Sequence, residues 1–431
     1  EYIGQFNNNC FYKKFNLIDN PPFDISSLQN NPIPVSRIDL TFHDVLTIDP
    51  IGSKDLDDAF SVEKQDDGFH IYIHIADVSE YIHPSNDSSF FENIMKRGST
   101  IYCVGHNIPM IPRELSENIC SLIPNKVRFA ITNEFICCDN VITHKGTYYT
   151  KIMSRRQLTY EDVDELLVSR EDESINILDN VSDVVRQMFK IIPINLNISK
   201  SHKIVELYML LTNKVMGELL ASKGIGNYRF HPPPYDNQLQ LFRKFITHFN
   251  NIILEEKVLE RDEIYNICNE NLNILTQGVY CDVYEYIIKD IMRKAIYIPY
   301  NNDTYHYALG IKHYIHFTSP IRRGSDLINH LALRGCIIEN DYSEYFNNAD
   351  TIQLNIEGMI LRNNSTNYEL KSRVITSVSK NGISILITKG TYQYIEYMHV
   401  SKLSILSNER LEYDGYCLKN DKDCYKLFNE I

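Results

Sequence analysis

TIDPIGSKDLDDAF, residues 47–60, decides how this chain is read, because it sets Asp49, Asp55, Asp57 and Asp58 within ten positions of one another. Apolar, strand-like runs bracket it: VLTI at 45–48 and AFSV at 59–62. Four carboxylates this close repel one another and raise each other's pKa unless a cation neutralises them. Hard divalent cations take oxygen ligands, and Mg²⁺ in particular keeps waters and uses few carboxylates, leaving room for substrate phosphates. Asp55 and Asp57 are two apart and point the same way in an extended segment, Asp58 points opposite, and Asp49 returns from the preceding strand. Gly52 and Ser53 permit the turn. Acidic loops are commonly just solvated, but a loop gripped by two core strands cannot spread its charges apart. A calcium-binding EF-hand is a poor alternative, since Phe60 stands where its glycine should be and Asp66 where its glutamate should be.

Working outward, FHIYIHIADV (69–78) alternates Phe69, Ile71, Ile73 and Ile75 with His70, Tyr72 and His74, as a strand does. A helix is expected over about 89–97, with Ser89 and Glu92 as a capping box and Gly98 as its stop. Another runs from Thr159 to Val168 with acids in its first turn. The most apolar helix spans about His202 to Leu220, with Ile204, Tyr208, Leu211, Val215 and Leu219 on one stripe. Helical patterns resume at about 237–260, 282–296 and 325–337. From Glu369 three short β segments, KSRVITSVSKNG, ISILITKG and YIEYMHVSKL, fit a small barrel of the OB kind. The fold class is therefore α+β: an Asn- and Pro-rich arm over 1–40, a mixed sheet with surrounding helices over 41–367, and an OB-type barrel over 368–431.

A chain of 431 residues with 43% hydrophobic and 23% charged residues has the make-up of a folded protein rather than a disordered or coiled-coil one. No run approaches the length of a membrane span, and the first thirty residues lack the pattern of a secretory signal, so no membrane partner is expected. The start on Glu1 leaves room for sequence upstream. The ten cysteines include no CxxC pair, which points to free thiols in a reducing, cytoplasmic setting, with an organelle or a virus as alternative contexts. The net charge of −13 argues against nucleic-acid capture by overall charge, though not against a local basic channel.

A second concentrated stretch is YHYALGIKHYIHFTSPIRRGSDLINH, residues 305–330. Arg322 and Arg323 follow the rigid Ser319-Pro320 pair and precede a helix whose expected cap is Ser325. Arginine stays charged and binds phosphate bidentately, so two at a helix entrance suit a phosphate clamp. Tyr307, Tyr314, His316 and Phe317 offer stacking surfaces for bases.

Taken together, the two stretches resemble the catalytic RNB domain of the ribonuclease II and ribonuclease R family. Residues 47–59 match the family's TIDxxxxxDxDDA at every fixed position, and HFTSPIRR (316–323) with Asp326, Leu327 and His330 is similar to HFTSPIRRYxDLxxHR. HIADVSEYI (74–82), NIPMIPRELSENICSL (107–122), SHKIVELYMLLTN (201–213) and RFHPPP (229–234) resemble further family segments in the same order. The resemblance covers roughly residues 37–365. It implies a processive 3′→5′ exoribonuclease that hydrolyses single-stranded RNA to nucleoside 5′-monophosphates with Mg²⁺, or Mn²⁺ as a substitute. By the same resemblance Asp49, Asp55, Asp57 and Asp58 are the metal carboxylates, Asp57 and Arg322 are catalytic, and Tyr102, Glu206, Arg323 and Tyr160 contact RNA. His74, His83 and His316 read as structural histidines, and Gly224-Ile-Gly226 as a turn.

The sequence also departs from the family. Gly324 stands where a tyrosine is usual, Leu331 where an arginine is, and LRNNSTN (361–367) lacks an expected glutamate. About 40 residues precede the catalytic segment, too few for tandem cold-shock barrels, so RNA capture is expected to depend more on the C-terminal barrel or on a protein partner; the chain itself is expected to be a monomer. Two other classes stand beside the nuclease: a catalytically inactive RNA-binding or scaffold protein with the same fold, and a metal-dependent glycosyl- or phosphotransferase using Asp-Leu-Asp.

Overall fold

The computed structural model describes residues 34–364, with breaks at 104–105, 195 and 197 and through much of 237–287, and then the segments 370–379, 382–389 and 392–399. The chain divides into two compact units, the first comprising 1–189, 198–231 and 295–357, the second 190–197, 232–294 and 358–431. Among the described residues no helix is long and apolar enough to cross a membrane, and Cys103, Cys120, Cys137, Cys138, Cys268 and Cys336 are free thiols.

The first unit is organised by a sheet of six strands: β1 (Ile38–Asp39), β2 (Val45–Asp49), β3 (Asp58–Gln65), β4 (Gly68–Ala76), β7 (Val127–Cys138) and β8 (Val141–Thr159). Between β4 and β7 come helix α1 (Ser88–Arg97) and a hairpin of β5 (Ile101–Cys103) and β6 (His106–Ile108). β8 is 19 residues long and pairs with three strands, taking β1 alongside Thr150 and Lys151. Its earlier part runs antiparallel to β7, up to Met153 opposite Val127, and its later part parallel to β2, from Ser154 opposite Val45 to Thr159 opposite Asp49. The ladder β8-β2-β3-β4-β7 thereby closes on β8, which leaves these five strands without a free edge.

Closure also encloses the polar residues of one strand. β4 is buried on both faces from His70 to Ala76, so its polar alternates do not meet solvent. They are satisfied internally: His74 hydrogen-bonds Ser61 Oγ at 3.0 Å and Thr132 Oγ1 at 2.8 Å, and Thr132 continues to Thr150 at 2.7 Å. Burial drives the His74 pKa down to about 3, so its ring stays neutral, as a structural histidine should.

The helices follow their periodicity but not every expected end. α1 is capped by Asp87, which accepts from Phe90 N–H, rather than by a Ser89–Glu92 box; Glu92 instead accepts from the Tyr342 hydroxyl. Gly98 ends it at φ 76°. α2 (Tyr160–Ser169) does carry a capping box, between Thr159 and Asp162, and is followed by α3 (Glu173–Gln187). α4 (Lys200–Ser222) buries Ile204, Tyr208 and Leu211 as expected, then turns Met216 and Leu220 inward in place of Val215 and Leu219. β9 (Asn227–Phe230) follows a turn in which Gly224 and Gly226 both have positive φ. β9 pairs with β10 (Ile296–Pro299), so the helix expected over 282–296 gives way to strand at its end. A short hairpin, β11 (Tyr305–His306) with β12 (Ile311–Lys312), leads to α6 (Gly324–Arg334), whose cap position is Arg323 rather than Ser325.

In the second unit, α5 (Arg261–Glu270) lies just past the helix expected over 237–260, most of which falls outside the described residues. α7 (Ser343–Asn364) belongs to the first unit as far as Glu357. The C-terminal segments form a three-stranded antiparallel meander, β13 (Leu370–Ser379), β14 (Gly382–Lys389) and β15 (Tyr392–His399). The remainder of the expected barrel, residues 400–431, lies outside the described residues, as does the arm before residue 34.

Candidate active site

The acidic stretch becomes the β2–β3 turn of the closed sheet. Asp49 is the last residue of β2 and Asp58 the first of β3. The irregular run between them is pinned by its backbone: Leu56, fully buried, donates to Ser121 Oγ at 3.0 Å, Ser121 Oγ donates to the Lys54 carbonyl at 2.7 Å, and Leu122 donates to the Leu56 carbonyl at 3.0 Å. Because strand geometry begins only at Asp58, the expected opposition of Asp57 and Asp58 does not hold. All four aspartates line one cleft of about 770 Å³, together with Tyr102, Tyr160 and Arg322.

Residues 319–323 form the facing wall. Ile321 N–H donates to Asp57 Oδ1 at 2.8 Å, and Arg322 Nε lies 3.5 Å from Asp57 Oδ2. Arg322 is aimed by Ser319, whose hydroxyl accepts from Nη2 at 2.9 Å, and the Arg322 carbonyl accepts from Thr100 N–H at 2.9 Å. Asp326, fully buried, accepts from Ser319 N–H and from Arg323 Nη2, both at 2.8 Å. Neighbouring arginines therefore diverge: Arg322 enters the cleft, and Arg323 is drawn inward by Asp326. Gly324 is where Gly98 and Phe346 come close, since a Cβ there would lie 2.6 Å from the Phe346 ring.

Two tyrosines flank the acids. Tyr102 is 37% exposed, and burial, ahead of the nearby Arg322, Asp55 and Asp57, sets its hydroxyl, which is pushed up to about 12. Tyr160 opens α2, stacks on His202 at 3.6 Å between ring centroids, and is likewise pushed up to about 12 by burial, with Asp58 and Asp49 adding to it. Both phenols stay protonated in ordinary buffers. Glu206 and Arg323 are not among the residues lining the cleft, and Glu206 is exposed on α4. Two residues without a sequence-based role do line it. Arg113 donates to the Asn107 carbonyl at 2.7 Å and pairs with Glu117. Their i, i+4 spacing within RELSE was the available signal.

The electrostatics of the cleft are unbalanced. Burial, then the charges of Asp58 and Asp55, push Asp49 up to about 8; burial pushes Asp58 up to about 7 despite Arg322 and Arg323. Burial also raises Asp55, and holds Asp57 well above the usual carboxylate range against the pull of Arg322. Asp49 Oδ2 and Asp57 Oδ2 are buried with no hydrogen-bond partner. Orphaned, mutually repelling oxygens of this kind fit a hard divalent cation. Among the described residues no three His, Cys, Asp or Glu side chains converge into a complete ion cage, so waters and a substrate oxygen would share the coordination, as is usual for Mg²⁺.

The RNB domain family profile matches residues 37–339. Ribonuclease R of Chlamydia muridarum is 31% identical over 69% of this chain and 46% of its own length, and ribonuclease R of Mycoplasma pneumoniae is 28% identical over 74% and 48%. The chain thus spans about half the length of the curated relatives it matches. In fold it is similar to Mycoplasma genitalium RNase R solved in complex with ribose methylated single-stranded RNA, with TM-score 0.75, 22% identity and coverage of 90% of this chain and 69% of the other. It is equally similar in fold to yeast Ssd1, described as a pseudonuclease, with TM-score 0.75, 18% identity and coverage of 90% and 55%. Since the matched residues take in the acidic turn, the facing arginine wall and the sheet that joins them, the chain belongs to the RNB domain family.

Proposed function

We propose that this chain is a hydrolytic 3′→5′ exoribonuclease that trims single-stranded RNA processively to nucleoside 5′-monophosphates. The observation that carries the reading is the meeting of Asp57 with Arg322 and the Ile321 amide in one cleft with Asp49, Asp55 and Asp58. When bound, a divalent cation, Mg²⁺ or Mn²⁺, supplies charge neutralisation and an activated water. The chain's own residues supply placement. Arg322 faces a scissile phosphate as a cation fixed by Ser319, and offsets charge that grows on phosphate oxygens in the transition state. Water adds to phosphorus, the 3′-oxygen of the penultimate nucleotide leaves and takes up a proton, and the phosphate departs as the 5′-phosphate of the released nucleotide. Tyr102 and Tyr160 provide π faces against which bases stack without sequence preference, worth ~1–3 kcal/mol per base. Glu206 and Arg323, which do not line the cleft, are assigned supporting roles in holding RNA beyond it. The meander β13–β15 is taken as part of an OB-type barrel that receives the strand. The working protein is taken as an intracellular monomer that can take a protein partner.

A second reading, an RNA-binding protein without catalysis, is favoured by the fold likeness to the pseudonuclease. Digestion of 5′-labelled RNA with Mg²⁺ and with EDTA separates the two. A ladder shortening from the 3′ end only with Mg²⁺ supports the nuclease; unchanged RNA with a retarded gel band supports the silent binder.

A further inference from the structure

Tyr102 sits in the middle of a strand only three residues long. In the β5–β6 hairpin it lies opposite Asn107, and its own N–H and C=O turn away from β6 toward α7. There the Gln353 side chain takes both. Gln353 Oε1 accepts from Tyr102 N–H at 2.8 Å, and Nε2 donates to the Tyr102 carbonyl at 3.4 Å. The second Nε2 hydrogen goes to Glu357 Oε1 at 2.9 Å, one helical turn on. A carboxamide is the side-chain copy of a peptide group, with an acceptor and a donor side by side. Here it plays the part of a missing neighbouring strand for a single residue, 251 positions away in sequence. Glu357 fixes which end of the amide faces which backbone group, because only the NH₂ end can donate to it.

We infer that Gln353 is a positioning residue for Tyr102: by bracing that residue's backbone from α7, it keeps the phenol ring facing the cleft and sets how short an RNA the protein can hold. This rests on the exoribonuclease reading for its RNA consequence, but not for the brace itself. A ring held in place stacks on a base without the entropy loss of being ordered at binding. Short RNAs make few other contacts and depend on it most. The chemistry is specific to an amide: glutamate would set a second acceptor against the Tyr102 carbonyl, and leucine would offer neither partner.

The test uses the full chain with Q353L and Q353E. Hydrogen exchange at the Tyr102 amide should quicken at least about tenfold in Q353L, the size of a lost hydrogen bond of about 1.4 kcal/mol. On a 5′-labelled oligoribonucleotide, both variants should stop at longer end products than the parent. KM for short RNAs should rise several-fold, more than kcat falls. Q353L combined with Tyr102→Ala should match Tyr102→Ala alone, since the brace has nothing left to hold. Unchanged amide exchange overturns the brace. Quickened exchange with an unchanged product ladder, or an effect that adds fully to that of Tyr102→Ala, overturns the positioning role. A parent chain that trims no RNA refutes the nuclease reading, and amide exchange still decides the brace.

Discussion

Two clusters of buried charge in the first unit are built on opposite principles. Arg37 and Arg334 each reach both Asp77 and Glu80, with four N–O distances between 2.5 and 2.8 Å. The Arg37 guanidinium also lies over the Phe129 ring at 4.2 Å. Two cations meet two acids, and although burial opposes its charge, Arg334 and Arg37 hold the Asp77 carboxyl below its ordinary range. The acidic turn does the reverse. Four acids share the neighbourhood of Arg322, and all four are pushed upward. A balanced cluster ties together β1's approach, the segment after β4 and α6. An unbalanced one persists only because the closed sheet and the Ser121 contacts restrain it, which is the pattern expected where binding rather than folding is served.

The sharpest way to break this contrast is Asp57→Asn. Mononucleotide release should fall on the order of 10³-fold, the several kcal/mol of charge stabilisation a cation site supplies, while the metal-free melting temperature holds or rises because one buried acid has been neutralised. Single-turnover digestion and calorimetry on the same preparation check both halves. Asp77→Ala should do the opposite and cost about 3–5 kcal/mol of stability, because two guanidinium groups then share Glu80 alone; urea titration measures it.

The adjacent arginines sharpen the comparison further. Arg322→Gln should lower turnover ~10²-fold, as loss of one charge-stabilising donor does, with little change in melting temperature. Arg323→Gln should show its loss mainly in stability, since its partner Asp326 is fully buried.

The pH response provides the smallest but most diagnostic effect. Asp49 and Asp58 have folded values of about 8 and 7 against the ordinary 3.8, so the fold binds their protons more tightly than the unfolded chain does. Metal-free stability contributed by the turn therefore declines as pH rises from about 4 to about 8. Asp77 has the opposite sign: its contribution is full above 3.8 and is lost as pH falls through its lowered folded value. Added Mg²⁺ should raise the melting temperature by several degrees near pH 8 and by little near pH 5, where protons compete for the same oxygens. Equal shifts at both values would show that the cation binds elsewhere.

Much of this was readable locally. The alternation in 69–76 marked a strand, the Thr159 start and the Gly98 stop marked helix ends, and the aspartate spacing marked a site, because strand and helix periods and turn residues act over a few positions. What misled was also local in form. Ser89 with Glu92 spells a capping box, yet Asp87 lies one residue outside the helix and takes the cap, while Glu92 is engaged by Tyr342, 250 residues away. The alternation in β4 marked a strand but did not show that ring closure buries both of its faces.

The amino-acid order by itself determined the strands on either side of the acidic turn, the helices around Phe91, Val163 and Tyr208, and the crowding of four carboxylates in one turn. Tertiary structure alone decided that Ile321 and Arg322 meet Asp57 from more than 260 positions away, that Glu206 stays outside the cleft, and that Arg37 and Arg334 converge on Asp77. Contacts of that span leave no period in the sequence. They exist because a closed sheet brings distant loops to one mouth, where buried charges must take whatever partners the packing provides.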